Sequence, residues 1–125
     1  MEIQIKSIQL DKPTNNGHVY NKEMFEKQLD KFNKSQIENY GQIYPRNTLV
    51  CSLGEISHKV KNAFIDEDNT VVTNNQILDT PKGKILKQMI ENNYNVSIVP
   101  VGIGNTNEDG VITDYELFGF DVIKN

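Results

Sequence analysis

Cys51, Ser52, Ser57 and Ser97 are candidate nucleophiles for acyl transfer, and His58 is the one plausibly placed base. Such a reaction needs the base within hydrogen-bond reach of the nucleophile and a third group to orient the base. Ser57 and His58 are adjacent. Neighbours along a strand project to opposite faces, so this pair is expected not to meet. Ser97 and His58 are left as a rearranged dyad formed across a sheet, and the plainer reading of both is a hydroxyl and an imidazole satisfied by backbone or water. Cys51 is expected to be a buried core thiol.

Other chemistry finds little support. His18 falls in a turn, and neither histidine has Cys, His or carboxylate neighbours at metal-ligand spacing. The Asp66-Glu67-Asp68 run lacks the alternating oxygen ligands and distal glutamate of a calcium loop and reads as a solvated hairpin tip. Gly102 and Gly104 have no third glycine or following helix to cradle a phosphate, and they read as sites of bending or close packing. No metal and no cofactor are expected. The Asn95-Val96-Ser97 glycosylation triplet has no secretory signal beside it.

The chain has 125 residues with a formal net charge of −4, enough for one domain (1–125) with one core. Its 13 basic residues are scattered among 17 acidic ones, which argues against binding a phosphate backbone, so nucleic acid is not an expected partner. The single arginine, Arg46, carries no functional weight in this reading. The apolar run from Val96 to Ile103 is broken by Pro100 and Gly102 and is far short of the roughly 20 residues of a membrane span. The alternating N-terminus is a strand pattern rather than a signal peptide, so the chain is expected to be used whole.

The elements that must position these groups follow from periodicity. Met1, Ile3 and Ile5 alternate with polar residues, and the phase shifts at Ile8 and Leu10, as in a bulged strand. Asp11 to His18 is a turn. Asn21 is an N-cap, and Phe25, Leu29 and Phe32 form a helical stripe running to about Asn33. Strands are expected over Leu49 to Leu53, over Ile56 to Ile65, and over Val71 to Leu78, the last two forming a hairpin around Asp66 to Asn69. Thr80 and Pro81 open a second helix with apolar Ile85, Leu86, Met89 and Ile90, ending near Asn93. Two last strands, Val96 to Ile103 and Val111 to Ile123, are joined through Asp109-Gly110. The class is α+β: a mostly antiparallel, barrel-like or curved sheet of about six strands with two helices. Ile3 and Ile5, if at an exposed edge, are candidates for strand addition to a neighbour.

Five segments carry a family resemblance: Asn16-Gly17-His18-Val19-Tyr20, Asn21-Lys22-Glu23, Ser57-His58-Lys59-Val60, Leu78-Asp79-Thr80-Pro81-Lys82-Gly83-Lys84, and Pro100-Val101-Gly102-Ile103-Gly104. In order and spacing they resemble the prohead core proteases of tailed phages, serine proteases of assemblin-like fold that trim scaffold and capsid proteins. The likeness runs from about residue 14 to residue 123 and includes Gly119-Phe120-Asp121-Val122.

The departures from the family pattern fall on the catalytic residues. The family's histidine lies in a Gly-Glu-Leu-x-His-Pro motif, and the matching stretch here is Gly41-Gln42-Ile43-Tyr44-Pro45, so Tyr44 replaces the histidine or the histidine is deleted. The family's nucleophile lies three residues before the glycine of a Ser-x-Arg-Gly motif, which places Val99 at the nucleophile and Val101 at the arginine. The resemblance therefore implies a pseudoprotease. The expected role is a non-catalytic virion structural protein, first an auxiliary or decoration protein binding the major capsid protein. The alternatives are an assembly or scaffold-associated factor, an active maturation protease with displaced residues, and a binding module unrelated to phages. The expected location is the virion capsid, with passage through the host cytoplasm during assembly.

Overall fold

The N-terminal alternation becomes β1 (Glu2–Gln9) in a computed structural model that describes residues 1–35, 39–48 and 50–125. β1 pairs antiparallel with β5 (Thr70–Ile77), and the register shifts between Lys6 and Gln9, where the sequence changes phase. β5 forms a hairpin with β4 (Ile56–Ile65), and β4 pairs with β3 (Tyr40–Gln42), in the sheet order β1-β5-β4-β3. The second sheet has the order β2-β7-β6, with β2 (Val19–Tyr20) parallel to β7 (Val111–Lys124) and β6 (Val96–Thr106) antiparallel to it. The α+β class holds. Among the described residues the strands number seven in two sheets, linked by a parallel bridge from Ile43 to Val122 rather than closed into a barrel.

Two departures from the sequence reading concern short segments. β2 and β3 have two and three residues, too few to show a period of two, and were not expected. No strand forms over 50–53, where Leu53–Glu55 is a 3-10 turn, and Leu49 lies outside the described residues.

Both helices begin at the expected caps. Asn21 accepts from the Met24 amide at 3.1 Å to start α1 (Lys22–Lys34), which buries Phe25, Leu29 and Phe32. Thr80 accepts from the Gly83 amide at 2.9 Å to start α2 (Pro81–Glu91), which buries Leu86 and leaves Ile85 exposed. The core joins the α1 stripe to Phe120 and Val122 of β7, Ile98 of β6, Val60 of β4 and Val71 of β5, with Phe32 and Phe120 edge to face at 5.4 Å. Ile5 is buried in this core and Ile3 packs against it, so these two side chains are not the exposed edge residues that the sequence reading supposes, although β1 is the outer strand of its sheet. No helix of the described residues is long and apolar enough to cross a membrane.

Candidate functional site

β4 enters its sheet through a bulge. Gly41 faces His58 and Gln42 faces Ile56, which leaves Ser57 as the extra residue. A bulge breaks the alternation of faces, and the Ser57 and His58 side chains consequently meet, with Oγ 2.8 Å from Nδ1. The expectation that adjacency keeps them apart fails for this reason. His58 Nε2 lies 3.0 Å from the Phe120 carbonyl, which only accepts. The imidazole therefore carries its proton on Nε2 and receives the Ser57 hydroxyl on Nδ1. Both residues are fully buried. Burial is the main cause that lowers the His58 pKa to about 4, so the ring is neutral at pH 7.

Gly41 is required for this packing, since a Cβ there would stand 2.2 Å from the Phe120 carbonyl oxygen and 2.3 Å from His58 Nε2. β3 thus lies directly on the imidazole. Beside it, Asp121 and Arg46 form an ion pair in which the side chains are 0 % and 5 % exposed. Asp121 accepts from the Arg46 Nε at 2.9 Å, from its Nη2 at 2.5 Å, and from the backbone amides of Gln42 and Arg46 at 3.1 and 2.9 Å. Arg46 Nη2 also donates to the Tyr40 carbonyl at 3.2 Å. Sequence reasoning missed this pair, although a lone arginine beside Pro45 and a carboxylate inside the apolar stretch 117–123 were the available signals.

The two positions that the family pattern marks lie about one stretch of β7. Val99 pairs with Asp121 on the β6 side, and the Tyr44 amide donates to the Val122 carbonyl at 2.7 Å on the other. Tyr44 has φ +67° and its side chain is largely exposed. Val99 and Pro45 line one cleft of about 550 Å³ together with Ile8, Tyr20, Ser97 and Pro100. Among the described residues, that lining contains no histidine, cysteine, carboxylate or cation. Ser97 Oγ donates to Asn125 Oδ1 at 3.0 Å, while both His58 ring nitrogens are taken by Ser57 and Phe120, so Ser97 and His58 are not partners.

The glycines and His18 have structural roles. Gly102 and Gly104 make room for the Tyr115 ring, which a Cβ at either position would meet at 2.6 and 2.9 Å. His18 sits in the turn, where its carbonyl accepts from Thr14. Cys51 is half-buried rather than a core residue, and burial raises its thiol pKa. It lines a larger cleft, of about 890 Å³, between α1 and residues 115–118 of β7. Among the described residues no group of three or more His, Cys, Asp or Glu side chains is placed to hold a metal ion.

No family model matches the sequence, and no curated protein matches it. Among solved structures, the chain is similar to the bacteriophage T4 capsid assembly protease, gp21. The TM-score is 0.88 at 15 % identity, and the match covers 99 % of this chain and 81 % of that one. That likeness establishes a prohead-protease fold over nearly the whole chain.

Proposed function

We propose that this chain is a non-catalytic capsid-associated protein of a bacteriophage, an auxiliary or decoration protein that binds the major capsid protein of the virion. The observation that carries the reading is the cleft at Val99, where access exists but neither a nucleophile with a base nor a charged group to orient one lines the walls. The shared fold with a capsid assembly protease supplies the capsid context. If the fold is kept without the chemistry, the retained property is the surface, which recognises virion or scaffold proteins. The competing reading, an active maturation protease with displaced residues, draws on the 2.8 Å Ser57–His58 contact, and complete burial of both residues opposes it.

Purified virions should contain the chain at a copy number matching capsid positions, as measured by quantitative mass spectrometry. A fluorophosphonate probe should leave the purified chain unlabelled. Absence from virions removes the decoration role, and labelling that disappears in Ser97→Ala or Ser57→Ala restores the protease.

A further inference from the structure

β6 is the outer strand of its sheet, and among the described residues no strand pairs with its free side. The first half of β6 is flanked by β1, because Ile3 to Ser7 line one cleft with Val96 and Ser97. From Ile103 to Thr106 every residue is exposed. Natural edges are normally guarded by lysines or other charges, yet the eleven residues of β6 include none. Its one guard is Pro100.

The ladder defines which backbone groups are open. The Asn105 amide donates to Asp114 Oδ1 and its carbonyl accepts from Thr113 Oγ1, so Asn105 faces β7. Alternation then turns the amide and carbonyl of Gly104 and Gly102 outward. The partners across the ladder agree, since the Leu117 amide, opposite Gly102, points away from β6 to Gln28 Oε1 at 3.3 Å. The same parity puts the missing N–H of Pro100 on the outer side, where the β6–β7 ladder loses nothing. Tyr115 lies against the Gly102 and Gly104 face, so Ile103 projects from the opposite face, 55 % exposed.

We infer that this edge pairs with a second copy of the chain, antiparallel about a two-fold axis at Ile103. In that register, Gly102 and Gly104 of one copy exchange both hydrogen bonds with Gly104 and Gly102 of the other. Ile103 meets its own equivalent in a non-hydrogen-bonded pair, with Cα atoms about 4.5 Å apart. A second copy fits because an uncharged edge opposes itself without repulsion. The nearest carboxylates come from β7, where Glu116 lies opposite Ile103 and Asp114 reaches across to Asn105, a residue that this register sets four positions along the edge from its equivalent. The two copies hold them roughly three strand spacings apart, about 14 Å, which exceeds the screening length of about 8 Å. A contact this small sits at the weak, reversible end of interfaces.

Sedimentation velocity on the full chain from about 1 μM to 1 mM should show a dimer that grows with concentration. Ile103→Lys, which sets like charges directly opposite, should lower the dimer fraction at least about tenfold while circular dichroism and thermal melting remain those of the parent. In a Cys51→Ser background, Ile103→Cys should form a disulfide-linked dimer on mild oxidation and Thr113→Cys should not. A parent that is monomeric throughout, an Ile103→Lys variant that dimerises like the parent, or cross-linking no greater at 103 than at 113 overturns the inference. A monomeric parent also leaves the edge to a strand of some other protein.

Discussion

At Ser57 and His58 a hydroxyl and an imidazole stand 2.8 Å apart and fully buried, whereas beside Val99 and Pro45 a cleft of about 550 Å³ is lined, among the described residues, by hydroxyls such as Ser97 and by no histidine or charged side chain. The first place has a hydroxyl and a base without access, and the second has access and hydroxyls, Ser97 among them, without a base. Proximity of a nucleophile and a base is thus an incomplete criterion for a site, since the same 2.8 Å contact serves here to satisfy two buried polar groups. The Ser57–His58 junction lies beside the buried Arg46–Asp121 pair, while Ser97 in the cleft makes one exposed hydrogen bond, to Asn125.

The contrast is tested most strongly at the ion pair. Asp121→Asn leaves the Arg46 guanidinium buried without its counter-charge, and the expected loss is about 3–5 kcal/mol of unfolding free energy in urea titration. A loss below about 1 kcal/mol would show that the ion pair contributes little.

Acid is expected to act through His58 to a smaller extent. Its pKa is about 4 when folded and near 6.5 when unfolded, so between those values the unfolded chain binds more protons. The stability contributed by the neutral ring is complete above about pH 6.5, falls as pH drops toward 4, and is gone below it. Between pH 7 and pH 5 the loss is about 2 kcal/mol, and His58→Gln should flatten that dependence. An unchanged slope in the variant would move the effect to other groups. Ser97→Ala, on the cleft side, removes one exposed hydrogen bond and should change stability by less than about 0.5 kcal/mol.

The long elements were legible because each repeats a pattern over several turns or alternations. The Phe25, Leu29 and Phe32 stripe, the Asn21 and Thr80 caps and the phase shift in β1 all appear where the sequence places them. β3 was not legible, because three residues carry no period and their place depends on β4 and β7. The Ser57–His58 contact was misjudged for a related reason. A bulge is defined by the register of the partner strand, which the local sequence of β4 does not contain. The Arg46–Asp121 pair joins residues 75 positions apart, and nothing local to either marks the other. At the cleft, the marking of Tyr44 and Val99 came from the family resemblance, and their common position about β7 is a product of the fold.

Phe120, Asp121 and Val122 are each wholly buried, and they receive His58, Arg46 and the end of β3 from far upstream. These contacts close loops of tens of residues before any of them is rewarded. During synthesis, His58 Nε2 and the Arg46 guanidinium therefore emerge well before the Phe120 carbonyl and the Asp121 carboxylate that they bind. A nascent chain halted before Phe120 lacks the β7 part of the core on which α1 and β4 pack, and it should expose those apolar faces to whatever chaperone or neighbour is present.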